Sequence, residues 1–144
     1  MGFMTPDVLC SNLVKLMPGA TLFHFGILTS SIHMIWMRAV CGRLEERYRY
    51  SEQIVYNNFP WPTVNEHQRQ KVESLAKAVL AVRDRYPNTT YKVLYNKQTI
   101  PDDLQAAHEA LDKYVKKLYG LSAGSSEQDC MVRLLEKYRE LTDQ

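Results

Sequence analysis

The chain has 144 residues, 45% of them apolar and 24% charged, with a formal net charge of +2. That is the make-up of a soluble globular protein with room for one ordinary domain, or for a small domain joined to a fragment of another. Charge is even along its length, five Lys/Arg against four Asp/Glu through Pro62 and thirteen against twelve beyond, so a general basic coat is excluded and any nucleic-acid contact has to be local.

The three cysteines, Cys10, Cys41 and Cys130, are far apart and in no Cys-x-x-Cys spacing. They read as reduced, packed thiols of an intracellular, cytoplasmic protein rather than as a disulfide framework or a zinc site. Met1 to Leu9 lacks the basic start of a signal peptide and carries Pro6 and Asp7. Leu16 to Met37 holds no formal charge, but Pro18, Gly19, His24, His33 and four hydroxyl residues argue against a membrane span.

Val8–Cys10 and Leu13–Met17, fenced by Pro6 and Pro18, predict short strands joined by a turn. Two such strands are not stable alone, and the segment has no lead-in, so the chain is expected to begin inside a fold. A helix then runs from a Thr21 cap to about Cys41, with Phe25, Leu28, Ile32, Ile35, Trp36 and Ala39 on one stripe and Phe23, Ile27, Met34, Met37 and Val40 over much of the rest. Apolar nearly all round, it should be a core helix closed by Gly42, with His24 and His33 as core or boundary residues.

Two short extended segments follow, on either side of Ser51–Gln53. If residues 44–50 form a strand, Glu45, Arg47 and Arg49 share one face. Arginine is the common bidentate donor to guanine, and a carboxylate can accept from the cytosine amino group, so Glu45 and Arg47 could address the two halves of one G·C pair. On the residues alone, a surface ion pair between Glu45 and Arg47 or Arg49 is the simpler reading.

Asn58-Phe59-Pro60-Trp61 is close to the Asn-Pro-Pro-aromatic loop of amino-directed DNA methyltransferases, with Phe59 where the first proline belongs. Such a loop needs a doubly wound sheet and a glycine-rich cofactor turn, and neither pattern is present. A rigid connector with Phe59 and Trp61 packed on a neighbouring surface fits better.

From Val64 the period is helical. Asn65 and Gln68 form a cap, and Val72, Leu75, Ala76, Val79, Arg83 and Tyr86 follow one face. Thr89 or Thr90 caps a short turn through Tyr95. Pro101 suits a first helical position, ahead of Leu104, Ala107, Leu111, Val115 and Leu118 and a stop at Gly120. Ser125 or Ser126 caps a last helix striped by Met131, Leu134, Leu135, Tyr138 and Leu141. Three such helices on short connections predict an antiparallel bundle. His108-Glu109 begins a zinc-protease pattern that lacks its second histidine. The fold class expected is α+β, predominantly α: short N-terminal strands with a buried helix, then a small helical bundle.

LFHFGILTSSIHMIWMRAVCGRL, YRYS and IVYNNFPWP, followed by QRQKVESLAKAVLAVRDRYPNTT and IPDDLQAAHEALDKYVKKLYG, resemble the C-terminal end of the MmeI-like family. These are bacterial restriction–modification polypeptides and related methyltransferases that methylate adenine in DNA. The likeness covers nearly the whole chain and implies two parts. Residues 1–62 would end a target-recognition domain, and residues 63–144 would form a C-terminal helical domain. It implies base-reading roles for Glu45 and Arg47, with Arg43, Arg49 and Tyr50 as backbone-positioning or structural candidates. It also implies double-stranded DNA and a methyltransferase domain as partners. S-adenosylmethionine would bind in that domain, since this chain carries neither the cofactor motif nor the catalytic loop. The competing reading is a helical protein–protein interaction module without a nucleic-acid role.

Overall fold

The computed structural model describes residues 1–11, 14–44 and 47–143, with side chains described outside residues 42–49. Its elements are helix α1 (Leu22–Thr29), helix α2 (Ser31–Val40), strands β1 (Gly42–Leu44) and β2 (Arg47–Arg49), a π-helical turn (Glu52–Tyr56), and helices α3 (Glu66–Arg83), α4 (Tyr91–Leu94), α5 (Asp102–Leu118) and α6 (Glu127–Thr142).

The α+β expectation is overturned. No described residue of the first 21 is in a strand; the segment runs through turns at Pro6–Asp7 and Pro18–Gly19. Leu9 is 98% exposed, so the apolar runs there find no sheet partner to bury them. The one strand pair among the described residues is the three-residue hairpin of β1 and β2, and the fold around it is helical.

The single long helix also divides. Ser30, fully buried with ψ at 159°, ends α1 and precedes α2. Its hydroxyl donates to the Ile27 carbonyl at 2.6 Å, which satisfies one orphan acceptor at the end of α1. The Ser31 backbone N–H then donates to Asp112 Oδ1 of α5 at 2.7 Å, so a carboxylate from a distant helix caps α2. Burial raises the Asp112 pKa above the ordinary carboxylate value, while the Ser31 hydrogen bonds pull it the other way.

Helix α1 is apolar all round because it is enclosed. Phe23, Phe25, Ile27 and Leu28 are buried, and Gly26 faces α3 and α5. A Cβ at Gly26 would meet Val72 Cγ1 at 2.7 Å and Ala76 Cβ at 3.3 Å. Glycine there lets the backbone of α1 sit against the i, i+4 pair of α3. Val72, Ala76, Val79, Leu104, Leu111 and Val115, all fully buried, complete this layer.

Helix α3 starts with the Asn65–Gln68 capping box. Helix α5 stops where Gly120 takes φ of 74°, with Leu121 N–H donating to Lys116 O and Gly120 N–H to Lys117 O, a Schellman closure. Pro101 sits one position before the first helical residue. The predicted bundle of α3, α5 and α6 is corrected as well. Helix α6 packs chiefly on α2, with Tyr138 against Trp36 at 5.8 Å between rings, and buries Cys130 and Leu134 fully in the core. Leu135 and Leu141, expected on its buried stripe, are exposed. The result is one core, built from both halves of the chain.

Beneath α4, Arg83 is 7% exposed. Its guanidinium donates to Tyr95 Oη and to the Met1 carbonyl, and lies over the rings of Phe25, Tyr91 and Tyr95. Tyr95 Oη is also 2.8 Å from His108 Nε2. With Arg83 donating to the tyrosine oxygen, the Tyr95 proton is available to Nε2 of a neutral imidazole, the direction of this contact depending on the His108 tautomer. Burial, aided by the Arg83 charge, lowers the His108 pKa to about 4.

Candidate nucleic-acid interface

The hairpin follows directly from α2. Cys41, buried at the helix end, donates its N–H to Met37 O at 2.9 Å. Gly42 opens β1 instead of closing the helix in a left-handed conformation. The antiparallel register places Gly42 opposite Arg49, Arg43 opposite Tyr48 and Leu44 opposite Arg47. Three arginine positions are thereby gathered on three successive rungs.

Leu44 pairs with Arg47, so residues 44–50 are not one strand, and the face-sharing expected of Glu45 with Arg47 and Arg49 lies in part outside the described residues. Arg43 lies in β1, and Arg47 and Arg49 lie at alternate positions of β2. Glu45 lies outside the described residues.

Tyr50, the first residue beyond β2, turns inward. Its hydroxyl is 3.2 Å from His33 Nε2 of α2, with the rings 5.9 Å apart. Burial, with Tyr56 and Cys41 nearby, pushes the Tyr50 pKa up to about 12. His33 is 2% exposed, its ring meets Phe59 edge-on at 4.7 Å, and burial lowers its pKa to about 4. Its Nδ1 is buried with no hydrogen-bond partner among the described residues.

The second extended segment, expected at Ile54–Tyr56, is the π-helical turn. Ser51 Oγ accepts from Ile54 N–H, and Trp36 Nε1 donates to the Val55 carbonyl at 3.0 Å. Asn58 Nδ2 donates to the carbonyls of Gln53 at 2.8 Å and Ile54 at 3.1 Å. The Asn58 amide nitrogen is thus used in closing its own turn, which fixes the side chain against the π-helical turn. Phe59 and Pro60 are buried, and the Pro60 carbonyl accepts from Tyr119 Oη at 2.9 Å. Trp61 packs edge-on against Phe59, Tyr56 and His24. This is connector geometry, and it leaves neither ring presented to a flipped nucleotide.

His24 is occupied locally as well, since its Nδ1 accepts from the Thr21 N–H at 3.1 Å at the start of α1. Among the described residues no group of three His, Cys, Asp or Glu side chains could hold a metal ion, and no helix is long and apolar enough to cross a membrane. Sequence reasoning missed the His33–Tyr50 contact and the Asp112 cap. The Ser30-Ser31 pair was a readable signal for a helix break, because serine favours caps over helix interiors. Nothing in the sequence marks Asp112 as its partner 81 positions away.

A family model for the MmeI target recognition domain matches residues 1–63, and one for the MmeI C-terminal domain matches residues 64–144. The chain belongs to the MmeI family. It is 36% identical over 143 residues to DNA methyltransferase A of Bacillus subtilis (strain 168), covering 99% of this chain and 16% of that protein. It also resembles the type IIL restriction–modification enzyme MmeI, solved in complex with DNA, with a TM-score of 0.84 and 43% identity over 88% of this chain and 17% of that one. The chain therefore spans about one-sixth of the length of either MmeI-family relative. The boundary between the two MmeI models falls at Thr63–Val64, beside the Phe59–Trp61 connector and across a continuous core.

Proposed function

We propose that this chain acts as the non-catalytic C-terminal part of a bacterial, S-adenosylmethionine-dependent, adenine-specific DNA methyltransferase of a restriction–modification system. The hairpin of β1 and β2 reads part of the target sequence in double-stranded DNA, and α3 to α6 brace it. The observation that carries this reading is the placement of Arg43, Arg47 and Arg49 on three successive rungs within residues matched to a target recognition domain. Arginine on a hairpin narrow enough for the major groove can donate to guanine O6 and N7, and a neighbouring carboxylate can accept from the paired cytosine. Arg47 and Glu45 take those roles. Arg43 and Arg49 contact phosphates and set the register. Tyr50 supports from beneath, since its hydroxyl is turned to His33.

Methyl transfer, the cofactor and the base-holding loop belong to a methyltransferase domain outside this chain. The described residues supply no substitute for that loop, because Asn58 and Phe59 are committed to the connector. The complete polypeptide works in the cytoplasm, where its DNA substrate is.

The test exchanges Glu45→Lys together with Arg47→Asp in a polypeptide that joins this chain to the preceding part of DNA methyltransferase A. Methylated sites are then read by sequencing. Reversing donor and acceptor should change the preferred base pair at one position of the methylated motif. Uniform loss of methylation at every site, with the motif unchanged, would assign the pair a structural role instead.

A further inference from the structure

Both feet of the hairpin stand on α2. The first foot, Cys41, is the residue that ends the helix, and its N–H is bonded to Met37. The second foot, Tyr50, reaches back to His33. Cys41 is the C-cap of α2 and His33 lies eight residues before it, so the two feet are about 12 Å apart along the helix axis. Beyond Tyr50 the chain is fixed again at Val55 by Trp36 and at Pro60 by Tyr119.

The His33 imidazole is an expensive way to fill this space. Whichever ring nitrogen carries the proton, the contact with Tyr50 uses only Nε2 and leaves Nδ1 buried with no partner among the described residues. A leucine or phenylalanine would fill the site against Phe59 without that unsatisfied nitrogen. What the histidine alone adds is a directed contact to the Tyr50 hydroxyl. Tyr50 is three residues from Arg47, about 10 Å of extended chain. A shift or rotation at Tyr50 therefore reaches the rungs of β2 with little slack to absorb it, and a slip of one residue would exchange the two faces of the strand.

We infer that His33 and Tyr50 are positioning residues for base selection: their contact fixes the height and register of β2 over α2, and so which base pair the hairpin addresses. This rests on the proposed function, and it predicts that a core residue touching no DNA alters sequence preference.

Two measurements separate the inference from the reading beneath it. In the 144-residue chain, hydrogen exchange at the amides of Gly42–Leu44 and Arg47–Arg49 should accelerate about fivefold in Tyr50→Phe, as expected for one lost hydrogen bond, with protection of α3 and α5 unchanged. His33→Phe should do the same, and His33→Gln, which restores a polar atom towards Tyr50, should recover part of it. In the joined methyltransferase, Tyr50→Phe should relax selectivity about fivefold at one base pair of the motif while total methylation at the best site is kept. Unchanged hairpin exchange in both Tyr50→Phe and His33→Phe overturns the inference. Faster exchange with unaltered base selectivity overturns the positioning role as well. A joined wild-type polypeptide that methylates with no sequence preference from this chain overturns the proposed function, and the exchange measurement still decides whether the anchor exists.

Discussion

The α1–α3–α5 layer and the β1–β2 hairpin are stabilised by opposite means. The layer is held by area. Gly26 admits α3 to close approach, and fully buried Val72, Ala76 and Leu111 fill the contact from two helices. The hairpin is held at its two ends, one continuous with the C-cap of α2 at Cys41 and the other tied by the Tyr50 hydroxyl to His33. A two-stranded ribbon alone in water is marginal at best. The contrast teaches where variation is tolerated. A layer fixed by packing resists change at every position, whereas a ribbon fixed at two ends can exchange the residues between them without disturbing the core. That is the property a recognition element needs if its specificity is to change while its scaffold does not.

The strongest way to break the contrast is to attack the layer and ask whether the hairpin side goes with it. Leu111, 0% exposed, lies against the Gly26 face of α1. Leu111→Ala should cost about 2–5 kcal/mol through lost burial and the cavity left behind. Both tryptophans lie in residues 1–63, while most helical residues lie beyond. Tryptophan fluorescence and far-ultraviolet circular dichroism thus report on different halves. With one continuous core they should shift to the same lower midpoint. A fluorescence transition left in place while the helical signal moves would mean that the halves fold separately.

Acid should weaken both regions by a different route. His33, under the hairpin, and His108, under α4, both have folded-state pKa values lowered from 6.5 to about 4, chiefly by burial. Their unfolded forms bind protons more readily, so the stability they contribute is present above pH 6.5 and is lost as pH falls towards 4. At about 1.4 kcal/mol per unit the ceiling is about 3.5 kcal/mol for buried His33, and it is smaller for half-buried His108, where solvent screens part of the effect. Asp112, with its raised pKa, acts in the other sense. Its contribution is present below its unfolded value and is lost as pH rises through the folded one. Urea titrations at pH 7, 6 and 5 should show stability falling with pH, and His108→Gln should flatten the fall by its own share. If that variant keeps the full slope, the Tyr95–His108 contact is not what acid disrupts.

How much of this the sequence shows depends on how local each cause is. The α3 cap at Asn65–Gln68, the Ser126 start of α6 and the Gly120 end of α5 were readable because each is decided within four or five residues. The buried character of residues 22–40 was readable from apolar residues on every side. The failures are non-local. Val8–Cys10 has strand composition but no partner, and Leu9 stays exposed. The stripe on α6 was misplaced in part, because Cys130 is buried while Leu135 is exposed. At the candidate interface, strand geometry and family resemblance pointed to Glu45 and Arg47. The antiparallel pairing of Leu44 with Arg47 is not foreseen by a single-strand alternation, and the His33–Tyr50 contact spans 17 positions. Asn58 shows the converse: its near-catalytic context is explained by two hydrogen bonds to its own turn.

The smallest expected effect sharpens the contrast from the other side. Arg38 near the end of α2 and Glu127 in the first turn of α6 form an ion pair at 3.1 Å that bridges the two matched halves. With the side chains 42% and 69% exposed, water and salt screen the attraction, and holding two long side chains in one geometry costs entropy. Glu127→Ala also removes an acidic group from a helix N-terminus, itself a few tenths of a kcal/mol. The sum should stay below about 1 kcal/mol and shrink further in 0.5 M salt. A salt-dependent loss several times larger would mean that charge on the rim, rather than the Trp36–Tyr138 contact, holds α6 to α2. In that case the hairpin's platform would be as labile as the hairpin itself.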